Sequence, residues 1–389
     1  WSGAVAMTGR TIVLATGGTG GHMFPAQALA DELLFRDERP VLLTDDRGAE
    51  RSAFDSRVEV HIVRAGTFTG QSALGKARGF VSIAAGCWEA HRLLKELAPA
   101  VVVGFGGYPS LPTMLSATYA GTRTMIHEQN AVLGRVNRLL APRVDSIAVA
   151  FLSTQQLSPG TFSRVTVIGN PVRDAIAAVR DIPYTLPDDS GPFELLVFGG
   201  SQGAAIFSDV IPNALALLPK ASLQRLRVTQ QCRPEDLERV KHQYHAAGIT
   251  ADLSTFFSDL PARLAVAHAV IGRAGASTLT ELTVAGRPGI LVPYPHATDD
   301  HQTANAKALA DEGAAWLIPE DRLSSRTLAE TLEALLVNPA YLADVAEIAR
   351  NIGRPNAAQG LADVVCRLAS PNGDPGHGIG NGAPHEEAA

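Results

Sequence analysis

The sequence predicts an α/β protein of two Rossmann-like domains, each a doubly wound parallel sheet. Three observations carry this. Short runs that are apolar throughout, such as VVVGF at 101–105, alternate with helical stretches, as strands covered on both faces do. The alternation restarts after a Pro- and Asp-rich stretch at 181–192 that reads as a linker region. Both halves open with a strand that runs into a glycine-rich turn and then a helix, the arrangement that places ligands beyond the carboxyl ends of open parallel sheets.

Composition agrees. The chain has 389 residues, 46% hydrophobic and 19% charged, which is globular and suits two or three domains. A net charge of -6 offers no general basic surface, so nucleic acid is not an expected partner. Cys87, Cys232 and Cys366 are far apart, with neither metal spacing nor a disulfide framework, and a reducing compartment is expected. No run is long enough to span a bilayer and no signal peptide is read. Residues 1–9 read as a leader containing Met7, and 370–389, rich in Gly, Pro and Glu, as a disordered tail.

In the first half, strand Thr11–Ala15 leads into Gly17, Gly18, Thr19, Gly20 and Gly21, with His22 next. Pro25 is expected in the first turn of the following helix, whose apolar face is Ala26, Leu29, Ala30, Leu33 and Leu34. Glycines let backbone N–H groups approach a ligand at a positive helix end, which suits a diphosphate. A histidine there can donate to phosphate or act as an acid or base. Strands follow at Val41–Thr44 and Val58–Val63, then a helix over Lys76–Leu97. Strand Val101–Phe105 ends in a second glycine turn, Gly106-Gly107-Tyr108-Pro109-Ser110, before helix Leu111–Ala120. Strand Thr124–Ile126 ends in His127-Glu128-Gln129-Asn130, and Ser146–Ala150 and Val165–Ile168 are two more strands.

The second half repeats the scheme. Strand Glu194–Phe198 is followed by GGSQGA at 199–204 and helix Ala205–Leu218, and Arg227–Gln231 is the next strand. Strand Ala269–Ile271 runs into Gly272–Ser277 and a helix over Thr278–Ala285 that stops at Gly286 with Pro288 beyond. Strand Gly289–Val292 and helices Leu328–Leu336 and Leu342–Ile352 complete it. The Gly272–Ser277 turn and Thr278 offer N–H groups and a helix dipole to a diphosphate. Glu281 could accept both ribose hydroxyls, its plain alternative being a solvated helix carboxylate. Gln302, in the loop-like HATDDHQTANA, suits sugar hydroxyls. The chain contains no Asp-x-Asp, so a metal-bridged pyrophosphate is not indicated. No cofactor or metal is expected, and dipole and side chains would stabilise a departing nucleoside diphosphate.

Seven segments occur in one order: GGTGGHMFPAQALADEL, GFGGYPSLP, HEQNAVLGRVNRLLA, GNPVR, FGGSQGA, RAGASTLTEL and HQTANA. Together, from about Thr11 to about Leu368, they resemble the MurG family of glycosyltransferase family 28, the UDP-N-acetylglucosamine–N-acetylmuramyl-(pentapeptide) pyrophosphoryl-undecaprenol N-acetylglucosamine transferases. The resemblance implies a GT-B fold with two domains facing a cleft. The N-terminal acceptor domain would span 10–172, joined by a last helix at about 350–369, and the donor domain 173–349. It implies hexosyl transfer: GlcNAc passes from UDP-GlcNAc to the 4-hydroxyl of the muramyl sugar of lipid I, with inversion, giving lipid II and UDP for peptidoglycan. Thr19, Gly20 and Gly21 fall on the family's first donor-contact segment. Asn130, Arg173, Ser201 and Gln302 fall on its other donor positions, Glu281 on its ribose carboxylate, and Phe257 where backbone meets uracil.

His22 is the first candidate for the general base, with Glu128 and His127 as rivals, since a base must reach the attacking hydroxyl. Tyr108 either shapes the acceptor site or packs beside the glycine turn. The segment Leu74–Leu97 mixes Leu74, Phe80, Val81, Ile83 and Trp88 with Lys76, Arg78, Arg92 and Lys95. It reads as an interfacial element or as a helix whose apolar face is core, and the resemblance favours peripheral attachment to an anionic surface at the cytoplasmic face of the bacterial inner membrane. It also implies company with cell-wall synthesis and division proteins. The alternatives are another GT-B glycolipid transferase, a UDP-GlcNAc 2-epimerase, or a nicotinamide oxidoreductase, for which the glycine spacing is wrong.

Overall fold

A computed structural model describes residues 9–18, 20–51, 54–66, 73–188, 191–200 and 203–370; the side chains of 51, 73–78 and 80 lie outside that description. Of the stretches expected as a leader (1–9) and a tail (370–389), all but residues 9 and 370 lie outside the described residues. The chain divides into two units, Trp1–Pro171 with Asn356–Ala389, and Val172–Pro355.

In the first unit seven strands form one sheet: β1 (Thr11–Ala15), β2 (Arg39–Thr44), β3 (Glu59–Ile62), β4 (Val101–Gly104), β5 (Arg123–Glu128), β6 (Ser146–Val149) and β7 (Val165–Val167). The order is β3-β2-β1-β4-β5-β6-β7 with every neighbour parallel. Alternate residues of β1 enter separate cores: Ile12 and Leu14 on one face, Val13 and Ala15 on the other. Burial on both faces is why these strands read as unbroken apolar runs. The core of the first face is closed by helices Gly20–Phe35 and Ala357–Leu368, the latter supplying Leu361, Val365 and Leu368. Arg36 fastens the two helices through Asp363 at 2.6 Å.

The second unit holds six strands: β8 (Phe193–Phe198), β9 (Leu226–Gln231), β10 (Thr250–Ser254), β11 (Ala269–Gly272), β12 (Gly289–Leu291) and β13 (Ala315–Leu317). They are ordered β10-β9-β8-β11-β12-β13, again all parallel. In both sheets the order reverses beside the first strand, between β1 and β4 and between β8 and β11. Such switch points open a crevice at the carboxyl ends of the strands. Register keeps the turns level there: Ala15 lies opposite Gly104, and Phe198 opposite Gly272.

Several expectations are corrected. The helix after β1 starts at Gly20, so Gly20, Gly21 and His22 form its first turn and Pro25 lies inside it. The glycines proved no obstacle to helix, and the first N–H groups of a helix need no internal partner. β5 runs two residues past Ile126, because its polar end still pairs with β6. β10 and β13 are edge strands, missed because β10 (TADLS) is of modest apolar content and β13 (AWL) is only three residues long. The 181–192 stretch is not all free linker: Tyr184 packs against the core of the second unit and donates its hydroxyl to the His268 carbonyl at 2.8 Å.

Candidate functional site

In the first unit three turns meet at the β1/β4 switch point: 16–18, 105–109 and 129–134. Gly17 faces Pro109, to which an added Cβ would come within 3.3 Å. Gly106 and Gly107 take φ of +89° and +77°, a region open to glycine at no steric cost. Their backbone lies against the His22 ring, where a Cβ would stand 3.4 Å from Cε1 and 3.3 Å from Cδ2. His22, half-buried, places Nδ1 2.9 Å from Gln129 Oε1.

The rivals of His22 are differently engaged. His127 is wholly buried, with Nε2 3.0 Å from the Gly169 carbonyl, and burial lowers its pKa to about 4. Glu128 is 2% exposed. Its carboxylate accepts from the Gly134 N–H at 2.8 Å, the Asn137 amide at 2.9 Å and the Asn130 N–H at 3.1 Å. A carboxylate so committed holds the 130–137 turn in place. Tyr108 is half-buried, packed against the second core of this unit. Thr19 lies outside the described residues, and Gly20 and Gly21 are exposed at the helix start.

In the second unit the turn between β11 and helix Ala276–Ala285 points the first N–H groups of that helix out of the sheet end, and Thr278 is buried while Ser277 is half-buried. Glu281 sits one turn further on. Its side chain is only 15% exposed and meets the Arg173 guanidinium at 3.3 Å. Burial raises its pKa, and Arg173 opposes the rise. The solvated reading of this carboxylate is therefore set aside. Gln302 is not in a loop. It lies in the first turn of helix His301–Ala310, and its oxygen accepts the Tyr294 N–H at 2.9 Å. Asp299 and Asp300, both left-handed, turn the chain into that helix. Phe257 is 9% exposed and lies beneath Arg263, whose Cζ is 4.2 Å from the ring centre, so its ring is not free and only its backbone could serve a ligand. Ser201 lies outside the described residues.

Sequence reading missed the supports. Arg273 donates to the Val292 and Pro293 carbonyls at 3.2 and 3.1 Å and pairs with Glu320. Asn305, fully buried, donates to the Ala274 carbonyl at 3.0 Å. Gln231 receives the Gly199 N–H at 3.1 Å and donates to Thr255. Their signal was position: polar side chains just past strand ends or on a helix beside a glycine turn.

Two parallel sheets, each with glycine turns at its switch point, and one with a largely enclosed carboxylate a turn past such a helix start, are the two Rossmann-like domains of the GT-B class. The sequence matches the glycosyltransferase family 28 N-terminal domain over residues 12–149 and the family's C-terminal domain over 194–361. A UDP-N-acetylglucosamine--N-acetylmuramyl-(pentapeptide) pyrophosphoryl-undecaprenol N-acetylglucosamine transferase of Paramagnetospirillum magneticum is 52% identical, over 92% of this chain and 96% of its own. The protein of that description from Rhodospirillum centenum is 50% identical over 95% of this chain and 96% of its own. The crystal structure of Acinetobacter baumannii MurG superposes with a TM-score of 0.75 at 31% identity, covering 92% of this chain and 99% of that one. A UDP-GlcNAc 2-epimerase of Neisseria meningitidis, bound to UDP-GlcNAc, shares the fold at 12% identity and a TM-score of 0.64, over 92% of this chain and 100% of that one. The chain belongs to glycosyltransferase family 28 and, within it, to the MurG family of N-acetylglucosamine transferases.

Proposed function

We propose that this protein transfers GlcNAc from UDP-GlcNAc to the 4-hydroxyl of the MurNAc-pentapeptide of undecaprenyl-pyrophosphate lipid I, forming lipid II and UDP for peptidoglycan. The relatives at about half identity over nearly the whole chain are named for this reaction. The second unit takes the donor. Glu281, buried yet flanked by Arg173, is the observation that carries this half: a carboxylate one turn past a helix start can bind both ribose hydroxyls while the helix N–H groups face the diphosphate. Ser277, Thr278, Arg173 and Gln302 belong to that site, with the backbone at Phe257 beside the base, and Thr19, Gly20, Gly21, Asn130 and Ser201 complete the donor contacts. As the glycosidic bond breaks, charge gathers on the leaving diphosphate, and fixed N–H dipoles stabilise it without reorganising.

The first unit takes the acceptor. His22 removes the proton of the attacking hydroxyl as its oxygen adds to the anomeric carbon from the side opposite UDP, so that the configuration inverts. The half-buried imidazole beside the Gly106-Gly107 turn supports the role. Glu128 serves it indirectly by holding the 130–137 turn, and Tyr108 lines the acceptor side. No cofactor enters this scheme.

The lipid acceptor requires a membrane surface. No helix of the described residues is long and apolar enough to cross one. Helix Ala73–Leu97 leaves Val81 and Trp88 66% and 67% exposed, seven residues apart on one face, with Arg92 5.8 Å from the Trp88 ring centre. Apolar residues with basic neighbours suit peripheral attachment at the cytoplasmic face of the inner membrane, in company with cell-wall synthesis and division proteins. Release of UDP from UDP-GlcNAc, measured with and without a lipid I analogue, tests the whole reading. Acceptor-dependent release is expected, and release indifferent to the acceptor would point to an epimerase-like reaction instead.

A further inference from the structure

We propose that Gln129 is a positioning residue that locks the His22 imidazole in its Nδ1–H tautomer and so leaves Nε2 as the nitrogen that accepts the proton. The inference rests on the reading of His22 as base and concerns which of its nitrogens acts.

The argument starts from a buried amide. Gln129 is 1% exposed. Its Nε2 lies 3.1 Å from the Phe105 carbonyl and 3.0 Å from the His127 carbonyl, and carbonyls only accept. The NH2 end of the amide is therefore identified by its surroundings, and the oxygen is the end that faces His22 Nδ1 at 2.9 Å. An amide oxygen also only accepts, so His22 Nδ1 must carry hydrogen. In the neutral ring Nε2 is then bare. Among the described residues no group is bonded to it.

The amide is itself held. His127 Nε2 stands 3.0 Å from the Gly169 carbonyl and so carries its hydrogen there, which leaves Nδ1 a bare acceptor, 3.0 Å from the Gln129 nitrogen, that shares the two amide hydrogens with the Phe105 and His127 carbonyls. Each member fixes the next: Gly169 carbonyl, His127, Gln129, His22. A second hydrogen on His127 would face the Gln129 NH2 group and break the series. Complete burial keeps it off by lowering the His127 pKa to about 4. On its other side the His22 ring meets the backbone of Gly106 and Gly107, where any larger residue would push it away. Orientation and tautomer are thus set by a buried amide on one side and by backbone on the other. In other enzymes, losing the partner that sets a catalytic histidine's tautomer leaves the geometry intact and still removes much of the rate.

The test uses the full-length protein labelled with 15N in histidine, the His22 signals being assigned by their loss in His22→Ala. Long-range proton–nitrogen correlations of the imidazole report which nitrogen is protonated. The wild type is expected to show His22 as Nδ1–H. Gln129→Met is expected to move it toward the Nε2–H form and to lower kcat about tenfold to a hundredfold, the range typical of lost outer-shell partners. KM for UDP-GlcNAc should stay within about twofold. A wild-type His22 protonated at Nε2 would overturn the proposal without any variant, which covers the case of a Gln129→Met protein that does not fold. An unchanged tautomer in a folded Gln129→Met protein, or a raised KM with kcat intact, would overturn it equally. Full turnover by His22→Ala would instead remove the base reading, while the measured tautomer would still decide what Gln129 does to the ring.

Discussion

Replacing Arg287 with methionine removes five hydrogen bonds from one fully enclosed side chain. Arg287 is 1% exposed, and its hydrogen bonds among the described residues all go to backbone carbonyls. Its Nε donates to the Leu264 carbonyl at 2.9 Å, Nη1 to Ala285 at 2.8 Å and Gly286 at 3.2 Å, and Nη2 to Ala265 at 2.8 Å and Ile182 at 3.2 Å. Four of these carbonyls close helices Leu260–Val266 and Ala276–Ala285, so the cation neutralises two negative helix ends together. Taking about 1 kcal/mol net for each bond gives about 5 kcal/mol, and relief from burying a guanidinium returns part of it. A net loss of about 3–4 kcal/mol is expected. Urea unfolding followed through Trp316, the tryptophan of the second unit, in a Trp1→Phe, Trp88→Phe background reads it. With a slope of about 2 kcal/mol per molar urea the midpoint should fall by about 1.5–2 M. Arg287→Lys should restore little, because one ammonium cannot reach carbonyls spread around a planar fork. A midpoint shift under about 0.5 M, or full restoration by lysine, would refute the reasoning.

Three further outcomes are expected. Glu281→Gln exchanges a charge-assisted bond to ribose for a neutral one and should weaken UDP-GlcNAc binding about tenfold by calorimetry. Because burial raises the Glu281 pKa, wild-type affinity should be complete above that raised value and decline as pH falls through it, at a higher pH than an ordinary glutamate would give, and the variant should lack this step. His22→Ala should cut turnover about a hundredfold or more while leaving UDP-GlcNAc affinity within about twofold, and near-normal turnover would dismiss it as base. Val81→Ser with Trp88→Ser should reduce sedimentation with anionic vesicles and spare UDP-GlcNAc affinity, and unchanged sedimentation would count against an interfacial role for helix Ala73–Leu97.

What could be read from the chain follows what physics writes locally. β1, β4 and β8 are buried on both faces, so their apolar runs announced them, and the glycine turns after them were visible as composition. β10, TADLS, lies at a sheet edge with every residue at least partly exposed, and little in its pattern separates it from a loop. The helix start at Gly20 was misplaced because glycine disfavours helix, yet packing of the apolar face of Gly20–Phe35 on the sheet outweighs a propensity term of about 1 kcal/mol per glycine. Arg287 in AGRPG carries no local sign of what it does. Its role depends on three segments, around residues 182, 264 and 286, that only the fold brings together.

The same reasoning explains why the supports of the candidate site were hidden while its glycines were plain. A turn that must let backbone approach a ligand can carry no side chain of its own to brace it. The bracing has to come from elsewhere, as side-chain amides that meet backbone carbonyls and N–H groups. Gln129 stands on the Phe105 carbonyl, Gln231 holds Gly199 and Thr255, Asn305 holds Ala274, and Gln302 holds Tyr294. A neutral amide suits this work because it satisfies both a donor and an acceptor without burying a charge. Replacing any of these amides by an apolar residue of equal size should therefore loosen a turn rather than unfold a unit, and the cost should appear in substrate handling before it appears in stability.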